Sequence, residues 1–134
     1  EFIYILIKEI VWSYGQYWFD GLTPDTGGIR TYPNTYPCFT ICAPIFVSNN
    51  ANLQQDTWGI IRVLFKGKQS SHQVDTTTKI SGNAGLNNMG GFTLGARGNN
   101  TSFANIEVKD IICCDTDDAA NETEIYNWLV TRKP

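Results

Sequence analysis

Residues 89–115 have the sequence MGGFTLGARGNNTSFANIEVKDIICCD, and the pattern of this stretch indicates the class of fold. Apolar and polar side chains alternate along both ends of this stretch, and a period of two predicts strands half buried in a sheet. The residues that share one face are Phe92, Leu94 and Ala96 in the first strand and Ile106, Val108, Asp110, Ile112 and Cys114 in the second. Residues 97–100 between them tolerate positive φ, so the pattern predicts a strand pair joined by a turn.

Further short strands precede this stretch. Residues 2–11 are apolar on both faces, which is typical of a central strand, and residues 16–21 are expected to pair with them as a hairpin. Residues 58–65 and 70–75 predict a second hairpin, turned at 66–68. Shorter strands are predicted at 29–32, 38–42 and 45–47, with a continuation of the second hairpin at 76–80. About nine strands at this spacing predict an all-β sandwich or barrel.

One helix follows the last strand. A helix is predicted at residues 117–131, where Ile125, Trp128 and Leu129 form one stripe at helical spacing that Arg132 continues just beyond the end. The first turn is acidic and the end is basic, an arrangement that suits the helix dipole.

The length and the net charge of the chain limit which classes of protein it can belong to. The 134 residues predict one domain, and because the chain begins in a strand without an initiator Met we expect it to be part of a longer chain. The net charge is −3, without a run of Lys or Arg, which argues against a nucleic-acid partner. No stretch approaches the roughly 20 apolar residues of a membrane span, so membrane insertion is not expected.

The four cysteines do not have the spacing of a zinc site. Cys38 and Cys42 lie in a predicted strand, and the adjacent Cys113 and Cys114 should point to opposite faces of theirs. Free and mostly buried thiols are the favoured interpretation, with a disulfide as the next alternative and zinc as the last.

Several motifs, in order, resemble the concanavalin A-like lectin/glucanase superfamily, in particular the laminin-G-like and pentraxin-like domains of bacteriophage fibres and bacterial surface proteins. They are YILIK at 4–8, YWFDG at 17–21, WGIIRVLFKG at 58–67, GFTLGA at 91–96 and IEVKDII at 106–112. The resemblance implies an antiparallel two-sheet jelly-roll sandwich, one sheet convex and one concave, with a short C-terminal helix. It also implies glycan binding, sometimes calcium binding, and a location on a virion or extracellular surface. Such domains usually carry earlier strands, so the resemblance implies that the sandwich is either incomplete here or completed by another part of the parent protein or by a second copy.

The sequence does not carry the catalytic motif of the family's glucanases. These enzymes place two carboxylates on one strand, typically as Glu-x-Asp-x-x-Glu, because retaining hydrolysis needs an acid and a nucleophile close together. Glu107 and Asp110 have an odd spacing and are expected on opposite faces of their strand. A glycoside hydrolase or lyase is therefore the least favoured function.

Aromatic and polar residues supply candidates for a glycan site. Tyr32 and Tyr36 lie with Asn34 in a loop held by prolines, and Trp18 lies in a strand near Asp20 and Asp25, although core packing is the alternative for Trp18. Arg62 interrupts an apolar strand, where it either lines the concave sheet or forms an ion pair with an Asp. His72, without catalytic partners, is expected on a strand surface or ligand face.

Two further interpretations concern carboxylates and amides. Asp20, Asp25, Asn87 and Asn88 have the oxygen ligands that calcium prefers, but their spacing does not specify a site. Asp110 stands on an apolar strand face, where a buried acid needs donors or a cation. We expect it to accept backbone or indole N–H bonds and to anchor the C-terminal helix or a loop, with metal binding as the alternative.

The sequence thus leaves two main hypotheses. The first is a non-catalytic module that binds a glycan, such as a host-surface carbohydrate, through a concave face or a loop rim. The second is a structural module without a ligand that packs against other subunits.

Overall fold

The chain forms an all-β sandwich of two antiparallel five-stranded sheets with one short C-terminal helix, which confirms the predicted fold class. The computed structural model describes residues 1–31, 36–50, 53–115 and 118–134, with side chains at all of these except 48–50. The strands are β1 Phe2–Val11, β2 Tyr17–Asp20, β3 Gly28–Thr31, β4 Phe39–Cys42, β5 Phe46–Asn50, β6 Trp58–Leu64, β7 Ser70–Val74, β8 Ile80–Gly82, β9 Thr93–Leu94 and β10 Asn105–Cys114. The first sheet has the order β10-β1-β6-β7-β8, and the second has the order β5-β4-β3-β2-β9.

Strand β1 lies in the middle of the first sheet, as its apolar sequence predicts. Ile3, Ile5 and Ile7 point into the sandwich, where they meet a buried cluster from the second sheet that includes Trp18, Phe39 and Ile41. The alternate residues Phe2, Tyr4 and Leu6 belong to a second buried cluster on the outer face of the same sheet. A strand that is buried on both faces must be apolar on both, which is the pattern that residues 2–7 show.

Two predicted hairpins are wrong, because strands consecutive in sequence lie in different sheets. β1 pairs with β6 along one edge and with β10 along the other, so it has no free edge for β2. β2 instead pairs with β3 and β9 in the second sheet and packs across the core. β9 and β10, predicted as a pair, are separated in the same way. The hairpin of β6 and β7 is confirmed.

A β-bulge in β10 changes which side chains share a face. Leu6 pairs with Asp110 and Ile7 pairs with Val108, so Lys109 is an extra residue on β10. An extra residue reverses the alternation beyond it. Ile106, Val108 and Ile111 therefore pack on the sandwich core, whereas Ile112 and Cys114 pack on the outer cluster. The prediction that 106, 108, 110, 112 and 114 share one face is wrong.

The helix α1, Glu122–Val130, is shorter than the predicted 117–131 and covers the outer face of the first sheet. Leu129 is fully buried there, with Ile125 and Tyr126 half-buried beside it, whereas the predicted stripe residue Trp128 is exposed. Ion pairs hold both ends: Arg62 lies 3.0 Å from Glu122 at the start, and Arg132 lies 2.8 Å from Asp110 just after the end. No helix in the described ranges is long and apolar enough to cross a membrane.

Replacing Leu129 with alanine is expected to lower the free energy of unfolding by about 2–4 kcal/mol, because it leaves a cavity between the helix and Phe2, Tyr4 and Leu6. The matched control is Val130→Ala, since Val130 is the next residue of the same helix and is exposed. That control should change the stability by less than about 0.5 kcal/mol. Urea denaturation measures both, and equal effects would show that the helix does not pack as described.

Candidate functional site

The two sheets differ in what lies on their outer faces. The helix packs on the first sheet, whereas the outer face of the second carries aromatic and charged side chains. Arg30 on β3 lies opposite Tyr17 on β2, and Phe46 on β5 lies opposite Cys42 on β4. Asp25 and Arg97 reach this face from the loops after β2 and β9. We call this group, Tyr17, Asp25, Arg30, Cys42, Phe46 and Arg97, the arginine face.

Aromatic rings hold the two guanidinium groups in place. The Arg30 guanidinium carbon lies 4.1 Å from the centroid of the Phe46 ring and 5.9 Å from that of Tyr17. The Arg97 guanidinium carbon lies 5.6 Å from the Tyr17 centroid, so both guanidinium groups lie near the Tyr17 ring. Contacts of this kind are attractive, and they orient a side chain that would otherwise be flexible. Tyr17 itself is buried, whereas Phe46 remains 45% exposed.

Asp25 is the anionic partner on this face. It accepts hydrogen bonds from the Tyr17 hydroxyl and the Arg97 guanidinium, and the Cys42 thiol lies 3.6 Å from its Oδ1. Burial acts to raise the pKa of Asp25, but the bonds from Tyr17 and Arg97 outweigh it and hold the pKa below its ordinary value. Burial, with the charge of Asp25, raises the pKa of the Cys42 thiol to about 12. Asp25 is therefore ionised at neutral pH and Cys42 is an unreactive thiol.

The two arginines differ in how their charge is balanced. Arg97 forms an ion pair with Asp25. Arg30 has no carboxylate at ion-pair distance among the described residues, and its polar contact is the Tyr17 hydroxyl, 3.5 Å from Nη1. The Nε atoms of both arginines are buried without an acceptor in the described part of the chain. The face therefore carries one guanidinium with a counter-ion and one without.

A buried carboxylate supports the loops that carry Asp25 and Arg97. Asp20, at the end of β2, accepts hydrogen bonds from the backbone N–H groups of Gly21 at 2.8 Å, Asp25 at 2.9 Å and Gly98 at 3.1 Å. Gly98 approaches the loop after β2 so closely that a Cβ would lie 2.6 Å from the carbonyl carbon of Thr23. Asp20 thus joins the loop after β2 to the turn after β9.

The hydrogen bonds of Asp20 and Asp25 do not suit the calcium-binding role predicted for them. Both oxygens of Asp20 accept N–H donors, and Asp25 pairs with a guanidinium, so neither offers calcium an uncommitted carboxylate. Asn87 is exposed, and the side-chain oxygen of Asn88 accepts a bond from the Gly90 N–H at 2.8 Å. Within the described residues, no group of three or more His, Cys, Asp or Glu side chains is arranged to hold a metal ion.

The predicted aromatic loop is only partly described. Tyr32 and Asn34 lie outside the described residues. Tyr36 is exposed, packs edge-on against Trp12 with the ring centroids 5.9 Å apart, and accepts a bond from the Gln55 N–H at 2.8 Å. Trp18 is not a surface platform, because it is buried in the core and donates its indole N–H to Glu9 at 3.1 Å.

Two of the predicted ligand residues, Arg62 and His72, are mostly or fully buried in the structure. Arg62 faces the helix, where it pairs with Glu122, donates to the Asp75 carbonyl and lies 4.5 Å from the Tyr126 ring centroid. This is a structural ion pair, although the partner is a Glu rather than an Asp. His72 is fully buried and packs against Phe39 with the ring centroids 5.3 Å apart. Its neighbours in register, Val63 and Ile80, show that it lies in a core row rather than on a ligand face.

Because of the bulge in β10, Glu107 and Asp110 do not lie on opposite faces of the strand, contrary to the prediction. Glu107 and Asp110 pair with Lys8 and Leu6, which lie on the outer side of the first sheet, so the two acids share a face. Each is matched to a cation, Glu107 to Lys8 at 3.0 Å and Asp110 to Arg132 at 2.8 Å. Asp110 is half-buried and anchors the chain beyond the helix, as predicted, but its donor is a guanidinium rather than a backbone or indole N–H.

Several clefts among the described residues are lined by side chains outside the arginine face. One, of about 370 Å³, is lined by residues that include Met89, Phe92 and Cys113. Another, of about 460 Å³, lies beside Ile45 and Leu86 and is mainly apolar. All four cysteines are free thiols; Cys38 and Cys42 are buried, whereas Cys113 is exposed and Cys114 is half-buried. Although Cys113 is exposed as a residue, partial burial of its thiol, with the charge of Glu1, raises its pKa, which does not favour a reactive thiolate.

Comparison with known proteins adds no assignment to this site. No family model, curated protein or solved structure matches the chain. The resemblance to concanavalin A-like domains therefore stays a prediction that rests on the motifs. No motif in the sequence singled out Arg30, Phe46 or Arg97 as site residues. One local signal was present, because Arg30 stands beside the apolar Ile29 in a strand and so had to face away from the core.

Proposed function

We propose that this chain is a non-catalytic glycan-binding module, displayed on a virion or cell surface, that recognises its ligand through the arginine face. The observation that carries the proposal is the outer surface of the second sheet, where the half-exposed ring of Phe46 lies against Arg30. On the same face, Tyr17 contacts Arg30 and Asp25, and Asp25 pairs with Arg97. Sugars are bound by an aromatic surface for their C–H groups and by fixed charged or amide groups for their hydroxyls. The arginine face combines both in one patch.

The state of the carboxylates supports a binding rather than a catalytic role. A glycosidase needs one protonated acid and one free carboxylate on either side of the scissile bond. On the arginine face, Asp25 is ionised and bonded to Tyr17 and Arg97, while Asp20 lies beneath with its oxygens on backbone N–H groups. Neither is free to transfer a proton or attack a sugar. The motifs that resemble concanavalin A-like surface domains are compatible with a binding role.

A glycan array with the wild-type chain and Phe46→Ala tests the proposal. Loss of the ring should weaken binding about ten-fold or more, because it removes the apolar contact and the support of Arg30. Trp128→Ala is the matched control, since Trp128 has a similar exposure of 47% but lies on the helix over the first sheet. Equal losses in both variants, or an empty array for the wild type, would contradict the proposal.

The same array should give equal signals in calcium and in EDTA. The reason is that the oxygens of Asp20 and Asp25 already accept N–H donors. A signal that disappears in EDTA would place a cation among the residues predicted from sequence and would contradict this assignment of the carboxylates.

A structural module is the second candidate. The ten-residue strand β10 forms one edge of the first sheet, and exposed apolar side chains, Leu94 on β9 with Phe92 and Phe103 beside it, line the edge of the second. Unpaired edges and exposed apolar groups are typical of surfaces that meet another subunit. Concentration-dependent association in analytical ultracentrifugation, together with an empty glycan array, would favour this function.

A further inference from the structure

We propose that the ligand is an acidic glycan and that Arg30 binds its carboxylate. The inference rests on the proposed function and specifies the class of sugar. It starts from the charge of the arginine face, where the described side chains leave one guanidinium without a counter-ion. Arg97 already has Asp25 as its partner, so an incoming carboxylate gains most at Arg30.

The hydrogen bonds around Tyr17 determine how many N–H donors of Arg30 remain available to a ligand. The Tyr17 hydroxyl donates its proton to Asp25, so only its oxygen lone pair faces the Nη1 of Arg30, 3.5 Å away. That contact is at the outer limit of a hydrogen bond, and it leaves most of the donor capacity of the guanidinium unused. A bound carboxylate would take up this capacity.

The ring of Phe46 gives the site its geometry. A guanidinium held against an aromatic ring keeps its in-plane N–H donors, which match the two oxygens of a carboxylate. Here the guanidinium carbon lies 4.1 Å from the Phe46 centroid, and the cross-strand position opposite Tyr17 and Thr40 fixes the root of the side chain. Because the cation is held before binding, little conformational entropy is lost when the anion arrives. A neutral sugar can accept hydrogen bonds from the guanidinium, but it has no carboxylate to match the paired donors and the charge.

The test compares acidic oligosaccharides with their own carboxyl-reduced forms. The probes are an oligogalacturonide, a hyaluronan oligosaccharide and sialyllactose, each measured by isothermal titration calorimetry against its reduced counterpart. At least one acidic probe should bind about ten-fold to one-hundred-fold more tightly than its reduced form, as expected for a hydrogen-bonded ion pair. Its affinity should fall with added salt.

Variants assign that preference to Arg30. Arg30→Gln should remove the difference between acidic and reduced probes, and Arg30→Lys should restore only part of it, because an ammonium group lacks the planar fork. Lys109→Gln is the control, since it also removes one positive charge but lies on β10 in the first sheet. Circular dichroism and a thermal melt of each variant establish that the fold is intact.

The outcomes separate the ligand class from the function. Binding of neutral and acidic probes with equal affinity, lost in Phe46→Ala but not in Arg30→Gln, would overturn the acidic ligand and leave the glycan-binding function standing. Tight binding of a sulfated oligosaccharide that survives carboxyl reduction would also overturn the carboxylate assignment. A wild-type chain that binds no probe and no glycan on the array would overturn both proposals.

Discussion

Asp20→Ala is expected to lower the free energy of unfolding by about 4 kcal/mol. Asp20 is fully buried, and its two oxygens accept three backbone N–H groups, from Gly21, Asp25 and Gly98. Leaving a buried donor unpaired costs about 1–3 kcal/mol, and bonds to a charged acceptor are at the upper end. Water that enters the space left by the side chain should bond to some of the three N–H groups, so the total cost stays below three times the cost of one unpaired donor. The variant should also lose glycan binding, because Asp25 and Arg97 lose the support of their loops.

Guanidinium chloride denaturation measures this prediction. Asp20→Asn should cost less than Asp20→Ala, because the amide keeps one acceptor oxygen. Glu124→Ala is the control for loss of a carboxylate at an exposed helix position, and it should stay within about 0.5 kcal/mol of the wild type. If Asp20→Ala loses less than about 1 kcal/mol, the loops after β2 and β9 are not held by this carboxylate.

The second large effect is a pair of opposing pH dependences from Glu9 and His72. Both side chains are buried in the sandwich, and Glu9 Oε2 and both His72 nitrogens have no hydrogen-bond partner among the described residues. Burial raises the pKa of Glu9 from 4.5 to about 7, although the bond from Trp18 acts to lower it. Burial lowers the pKa of His72 from 6.5 to about 4. The core thus favours the neutral form of each group.

The signs of the two effects are opposite. Between pH 4.5 and 7 the folded chain keeps a proton on Glu9 that the unfolded chain has released, so stability falls as pH rises. Between pH 4 and 6.5 the unfolded chain binds a proton at His72 that the folded chain does not, so stability increases as pH rises. Each effect amounts to about 3 kcal/mol over its window. In the wild type they should nearly cancel from pH 4.5 to 6.5.

Single variants should expose each component. Glu9→Gln should show a free energy of unfolding that rises by about 3 kcal/mol from pH 4 to 6.5, and His72→Leu should show one that falls by a similar amount from pH 4.5 to 7. The double variant should again be nearly flat. Urea denaturation at half-unit pH steps measures the slopes, which do not depend on the constant cost of each substitution. Parallel curves for the wild type and both single variants would refute the buried titrations.

The position of β1 could be predicted from its sequence, whereas the pairing of β9 could not. Residues 2–7 are apolar on both faces, and only a central, doubly covered strand can bury such a segment, so the position of β1 followed from its own residues. The pairing of β9 was different. Its short apolar pattern could be satisfied in either sheet, and the choice depended on which strand had a free edge.

The arginine face could not be predicted for a related reason. Arg30, Phe46 and Arg97 are far apart in sequence, and no local pattern relates them. They come together because β3 lies between β2 and β4 and because Asp20 joins the loop after β2 to the turn after β9. Conversely, Arg62 and His72 look like surface residues in sequence, yet the helix covers one and the second sheet covers the other.

Periodicity and turn residues within a few positions predict the all-β class, most strand positions, the β6–β7 hairpin and the short helix. Local patterns do not predict which sheet each strand joins, where the β10 bulge reverses the faces, or which charged groups meet, because these depend on contacts between distant segments. A strand can pair with any of several edges that are far away in sequence, and it pairs where its backbone hydrogen bonds and its apolar side chains are best satisfied. The outcome is a property of the whole sandwich rather than of any one segment.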